Sequence, residues 1–370
     1  MALLSRSAAR ITRLIGASLA LMAGVSASAS TGADDYRIGV YYYPGWSPGI
    51  KGPGQADPWQ PIRAYPERQP ALGWYHDGRV ETVEQQLRWM HRYGIDFVAF
   101  DWYWATGRAA PETAVRAYLR APSRQRVRYA LLWANHFKVA DAVRQWNLMI
   151  DYWLRHHLKN PEYLRIDGKP VVFIFSGDFL RDNAAAAGTT AGALIDVAQA
   201  KARAAGLPGI YFVLCTPALD YWARGFAPEA GFSALSAYNY HFGLSGSPES
   251  ATRPSRSFKE LDAGYRMQWK WLLENSVLPY FVPMTSGWDR RPWGASKDDP
   301  LHDRSSSTPD EFEAHLRAAR SMMDAHPRKG RRTGMICCWN EFGEGSYVEP
   351  TKRDGFAYLE RIRKIFAGGK

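Results

Sequence analysis

Two glutamates three positions apart, Glu341 and Glu344, close an apolar run in the order Trp339-Asn-Glu-Phe-Gly-Glu-Gly345. Neighbouring carboxyls can divide the cleavage of a glycosidic bond. One stays protonated and donates to the leaving oxygen, while the other stays ionised and acts as base or nucleophile. Gly343 and Gly345 suit a bent loop that turns both acids inward. The competing reading makes both acids surface or N-cap groups ahead of the last helix. Their place at the end of a strand, directly after a tryptophan, favours catalysis.

Polar side chains interleaved with aromatic ones recur at the ends of other apolar runs. They are Tyr43 and Trp46, then Asp101, Trp102 and Trp104, then Asn135 and His136, then Tyr238 and Tyr240, then Trp288, and finally Asn340. A sugar ring offers hydroxyls at its rim and a C–H face that packs on aromatic rings, so these residues form the expected substrate-binding set. Asp101 ends an apolar strand, where a carboxylate is desolvated unless paired. Contact with sugar and a buried ion pair both stay open for it. His136 is a hydroxyl donor to ligand or a satisfied core histidine. Of Trp46, Trp104 and Trp288, one or two are expected to be exposed as stacking platforms. His156 and His157 are expected to be solvated on a helix flank.

These residues need elements to hold them. Eight short runs rich in Val, Ile, Phe and Tyr read as strands: 38–43, 97–102, 127–133, 171–175, 210–215, 234–238, 280–284 and 335–339. Most are apolar without alternation, as strands buried on both faces are. Helical patterns fill the intervals. Val80, Val83, Leu87 and Met90 share a face, as do Val143, Trp146, Ile150 and Trp153. Ser257 with Glu260 and Thr308 with Glu311 read as capping boxes, and Phe356, Leu359, Ile362 and Phe366 make a last stripe. The expected fold class is α/β, a (β/α)₈ TIM barrel with extended βα loops at 47–79, 242–256 and 287–307. A doubly wound open sheet is the alternative. All three long loops fall on the side where barrel enzymes keep their chemistry.

Residues 1–29 read as a cleaved export signal: Arg6, Arg10 and Arg13, then the apolar stretch 14–25, then Ala27-Ser-Ala29. Residues 30–370 are expected to be one catalytic domain, exported to the periplasm or secreted, monomeric and without stable membrane insertion. The formal charge of +11 comes from basic residues scattered among acidic ones, and no nucleic-acid reading motif accompanies it. The three cysteines lie in apolar runs and read as small buried hydrophobes. Cys337 and Cys338, adjacent in a strand, should face opposite ways and not pair. No glycine-rich nucleotide loop, zinc-protease helix or serine-hydrolase elbow is present. No cofactor and no catalytic metal are expected.

Four motifs carry a family resemblance. They are Tyr41-Tyr-Tyr-Pro-Gly-Trp46, Gly94-Ile-Asp-Phe-Val-Ala-Phe-Asp-Trp-Tyr-Trp104, Tyr163-Leu-Arg-Ile-Asp-Gly-Lys-Pro170 and Trp339-Asn-Glu-Phe-Gly-Glu-Gly-Ser-Tyr-Val-Glu-Pro350. The sequence resembles the glycoside hydrolase family 99-like proteins, which include endo-α-mannanases, endo-α-mannosidases and WbsX-type polysaccharide proteins. The resemblance implies a (β/α)₈ fold and retaining, endo-acting hydrolysis of a polysaccharide or glycan. It makes Glu341 a base acting on the sugar's own 2-hydroxyl and Glu344 the general acid/base, and it places Tyr240 near the reacting sugar. Phe342 stands where Trp is commoner, and Asn340 is nearer the WbsX-like branch. A non-catalytic polysaccharide-binding or assembly protein is the alternative reading. A glycosyltransferase comes third, because nucleotide-sugar motifs are missing.

Overall fold

The computed structural model describes residues 36–49, 57–105, 107–241 and 253–367. The expected export signal and residues 242–252 of the second long loop lie outside them. Eight parallel strands form the core: β1 (Arg37–Tyr42), β2 (Phe97–Trp102), β3 (Arg128–Trp133), β4 (Lys169–Ile174), β5 (Tyr211–Cys215), β6 (Ala234–Ser236), β7 (Val282–Thr285) and β8 (Thr333–Cys337). Each pairs in parallel with its neighbour in chain order, and β8 returns to β1. The last gap closes through a parallel bridge between Leu235 and Tyr280. There Phe281 N–H donates to the Leu235 carbonyl at 2.9 Å and Leu235 N–H to the Pro279 carbonyl at 2.8 Å. Closure of the ring excludes the open doubly wound sheet.

Helical segments follow the strands. They are α1 (Val80–Arg92), α2 (Thr113–Arg120), α3 (Ala142–His156), α4 (Gly177–Ala186), α5 (Ala191–Ala204), α6 (Phe258–Asn275), α7 (Pro309–Ala325) and α8 (Ala357–Phe366). A short π-helical turn, Tyr221–Phe226, stands between β5 and β6. The Thr308–Glu311 capping box forms in full around Pro309. Ser257 caps α6 by accepting from Glu260 N–H, but the Glu260 carboxylate turns to Arg253 and the Arg256 N–H. Among the described residues no helix is long and apolar enough to cross a membrane.

Strand alternation sorts the core into two layers. Tyr41, Phe97, Ala99, Ala130, Leu132, Phe173, Val213 and Met335 fill the barrel interior. Val40, Tyr42, Val98, Phe100, Trp102, Trp133 and Ile336 face the helices. Gly39 is required by this filling: a Cβ there would stand 2.2 Å from the Phe97 ring, which occupies the axis beside it. The same parity sends Asp101 inward at the top of β2 and Trp102 outward.

Two expectations are corrected. Cys337 and Cys338 are joined as a disulfide. β8 ends at Cys337, so Cys338 lies past the strand and the alternation that would turn the two side chains apart does not extend to it. Cys215 is a free, buried thiol. His157 is buried rather than solvated, because the end of α3 turns it toward Tyr129 of β3, where its Nε2 meets Glu112 Oε1 at 2.9 Å. His156 beside it is exposed.

Candidate active site

The chain leaves β8 into a tight hairpin. Asn340–Glu341 pairs antiparallel with Ser346–Tyr347, and Glu344 N–H donates to the Glu341 carbonyl at 3.1 Å. Glu341 is buried and Glu344 half-buried. Two long loops hold this turn from behind. Asp289 N–H, after β7, donates to the Glu344 carbonyl at 2.7 Å. Buried Arg68, from the loop after β1, donates to the carbonyls of Phe342 and Asp289, each at 2.8 Å.

Three carboxyls and three phenols gather at this mouth. Tyr238 Oη, just past β6, lies 2.9 Å from Asp101 Oδ2 and 3.0 Å from Glu341 Oε1. The hydroxyls of Tyr43, Tyr103 and Tyr238 all feel the charges of Asp101, Glu341 and Glu344, and burial first, then these charges, push each phenol far up. All three therefore stay neutral hydrogen-bonding groups. Burial also drives the Asp101 carboxyl well above the usual range; the Tyr238 hydrogen bond opposes this and the charge of Glu344 adds to it. Asp101 has no cation beside it among the described residues, so the buried-ion-pair reading does not apply. A hollow of about 490 Å³ opens next to Tyr238, lined by Phe175, Thr216, Pro217 and Asn239 among others. A second recess of about 510 Å³ lies behind the hairpin, between Arg68, Asp289, Arg291, Ser307, Tyr347 and Arg353.

The remaining sequence candidates divide by parity and by hydrogen bonding. Asn340 spends its amide on holding β1: its Oδ1 accepts from Tyr43 N–H at 2.8 Å and its Nδ2 donates to the Tyr43 carbonyl at 3.0 Å. Asn135 uses its amide on the backbone of Ser176, tying β3 to β4. Tyr240 Oη donates to the Thr216 carbonyl at 3.2 Å and shares a 2.9 Å hydrogen bond with Tyr280 Oη, beneath the mouth. Trp46, Trp104 and Trp288 are all buried, not exposed as platforms. Trp46 stacks on Trp59 at 3.8 Å and donates to the Asn340 carbonyl. Trp102 and Trp104 point outward to Glu112 and Gln145, and Trp288 packs on His241. His136 is exposed at the rim beside Tyr103 and Phe175.

Sequence reasoning missed two sets of residues. Tyr103 shares the inward parity of Asp101, which was the available signal. The other set is a buried support under Asn340. Asn340 Nδ2 donates to Tyr75 Oη at 3.3 Å, Tyr75 Oη donates to Glu349 Oε2 at 2.6 Å, and Gln86 Nε2 donates to Glu349 Oε1 at 3.0 Å. Burial pushes the Glu349 carboxyl up to about 8, with the Tyr75 and Gln86 bonds pulling the other way.

A closed ring of eight parallel strands with carboxyls and phenols at their carboxyl ends makes this a (β/α)₈ barrel. The family described as Glycosyltransferase WbsX matches residues 56–362, and the chain belongs to this WbsX family. An uncharacterised protein, WxcX of Xanthomonas campestris pv. campestris, is 23% identical over 322 residues, covering 80% of this chain and 43% of WxcX. The chain thus spans less than half the length of that relative. Among solved structures, a glycoside hydrolase-like protein superposes with a TM-score of 0.66 at 16% identity, covering 90% of this chain and 94% of the other. A family 99 endo-α-mannosidase from Bacteroides thetaiotaomicron, in complex with Bis-Tris propane, gives 0.61 at 15% identity, covering 89% and 96%. At these identities the likeness is one of fold.

Proposed function

We propose that this protein is a retaining, endo-acting glycoside hydrolase of a polysaccharide, exported from the cell. The observation that carries the reading is the hairpin after β8, which delivers Glu341 to the Tyr238 hydroxyl beside an open hollow and holds Glu344 three residues on. Glu341 is the base. It takes the proton of the sugar 2-hydroxyl, O2 closes on C1, and the bond from C1 to the leaving oxygen breaks. Glu344 gives that oxygen its proton. Water then adds to C1, losing a proton to Glu344, while O2 recovers its proton from Glu341. Configuration at C1 is retained overall, and both acids return to their starting states.

The test is a panel of α-mannan, α-glucan, galactosaminan and bacterial exopolysaccharides, read by new reducing ends and product mass. Wild type is expected to release oligosaccharides, and Glu344→Gln to lose about a hundredfold or more in rate. Cleavage undiminished in Glu344→Gln removes the acid assignment. Binding without product favours the polysaccharide-binding alternative. The family's designation as glycosyltransferases favours a second reading, glycosyl transfer; consumption of a nucleotide- or lipid-linked sugar donor with no hydrolysis of any polymer selects it.

A further inference from the structure

The Tyr238 hydroxyl has one proton and two carboxyl neighbours, Asp101 Oδ2 at 2.9 Å and Glu341 Oε1 at 3.0 Å. If both carboxyls were ionised, that proton could satisfy only one, and the other contact would set two oxygen lone pairs against each other. A second proton on one of the acids removes the conflict. We propose that Asp101 holds this proton and donates it to the Tyr238 oxygen, so that Tyr238 donates in turn to Glu341 and keeps Glu341 the ionised end of the chain. Asp101 is then a positioning residue acting through Tyr238, and the proposal rests on the reading of Glu341 as the base.

The surroundings of Asp101 select it as the protonated end. It points into the barrel with Phe97 and Ala99 below it, and its Oδ1 is buried without a hydrogen-bond partner. A charge there lacks both water and a second donor. The groups that face it from the other elements are Tyr41 and Tyr43 of β1 and its extension, Tyr103 of its own loop and Cys215 of β5. Tyr238 after β6, with Glu341 and Glu344 of the hairpin, are the others among the described residues. None is a cation, and the thiol and phenols are themselves held neutral by burial. The direction of the Asp101 shift agrees.

Infrared spectroscopy of the full chain at neutral pH reads the proton directly, through the carbonyl stretch of a protonated carboxylic acid. One such band is expected to vanish in Asp101→Asn and to persist in Glu341→Gln. Loss in Glu341→Gln with retention in Asp101→Asn places the proton at the other end and overturns the proposal. Selective ¹³C labelling of aspartate carboxyls makes the test independent of any variant's folding: wild type with every aspartate ionised at pH 7 overturns it, and Asp77→Asn separates the other buried aspartate whose carboxyl is raised. These readings need no turnover, so they stand whether or not the hydrolase reading does. With a polymer that is cleaved, Asp101→Asn keeps an N–H donor toward Tyr238 and should fall less than about tenfold in kcat. Asp101→Ala should fall about a hundredfold with little change in KM. Equal losses in the two variants, or a loss confined to KM, count against a donor role.

Discussion

Arg68 reaches from the first long loop to the carbonyl of Phe342 at 2.8 Å, in the middle of the turn between the two glutamates. Its other donors go to Asp289, with Nη2 2.5 Å from Oδ2. Asp289 is also gripped by the more exposed Arg291. Replacing Arg68 with Met leaves two carbonyls without a donor and a buried carboxylate short of one cation. The expected cost is about 3–5 kcal/mol of stability. Thermal unfolding checks this, and a wild-type midpoint in Arg68→Met would contradict it. Hydrolysis should fall further than stability alone explains, because the turn that carries Glu344 loses its rear support.

Glu349 makes stability fall on the alkaline side. Its carboxyl is raised from the usual 4.5 to about 8 in the folded chain, so the folded state binds the proton more tightly than the unfolded one. The stability it contributes is complete below about pH 4.5 and is lost as pH rises through about 8. Each unit in that window removes on the order of 1.4 kcal/mol at most. Glu349→Gln keeps the Tyr75 contact without the titration. Its unfolding midpoint should therefore decline less between pH 5 and 8 than that of wild type. Parallel decline in the two proteins is the contrary result.

Much of this architecture was readable from the chain. Strands buried on both faces are apolar throughout, and all eight were located, with no end displaced by more than two residues. β6 stops at Ser236 and β8 at Cys337, so Tyr238 and Trp339 lie in loops past the last ladder bonds. The hairpin with its two acids was legible because glycine and glutamate are rare companions at the end of an apolar strand. The tryptophans were not. Residue type alone does not tell a stacking platform from a wall, whereas parity from Asp101 turns Trp102 and Trp104 toward the helices. The Glu349–Tyr75–Asn340 support was invisible because its members are 9 and more than 260 residues apart in sequence. It exists only once the first long loop folds over the last strand. The Cys337–Cys338 disulfide ran against expectation for a local reason, since alternation was assumed to continue through Cys338, which lies past the end of β8.

Gly345 sets the exit of the turn. It has φ of +71°, and a Cβ there would lie 2.7 Å from the Asp289 nitrogen that donates to the Glu344 carbonyl. Gly345→Ala therefore adds backbone strain and breaks the contact that holds Glu344, at about 1–3 kcal/mol, with a clear fall in hydrolytic rate. Gly355, φ +56°, has open space around its missing Cβ and serves as the comparison. Gly355→Ala should lose some stability and keep the rate. Equal effects on rate would show that the turn is not the sensitive part.

The last prediction concerns acid. Glu112 accepts from Trp102 Nε1 at 2.6 Å and Tyr152 Oη at 2.7 Å, and faces His157 Nε2 at 2.9 Å. Burial raises its carboxyl, but the hydrogen bond and charge of His157, then Tyr152 and Trp102, outweigh it and hold the group at about 2. A depressed carboxyl contributes stability that is full above the ordinary value near 4.5 and is lost as pH falls through about 2. Glu112→Gln keeps the size and removes the charge facing His157. It should destabilise the barrel at pH 7 by about 3 kcal/mol, with the difference from wild type shrinking steadily between pH 4.5 and 2. Because Trp102 follows Asp101 directly, the same variant tests whether the outer wall of β2 keeps the inner carboxyl in register. If it does, Glu112→Gln also lowers kcat where the protein is still fully folded. An unchanged kcat at that pH confines Glu112 to stability.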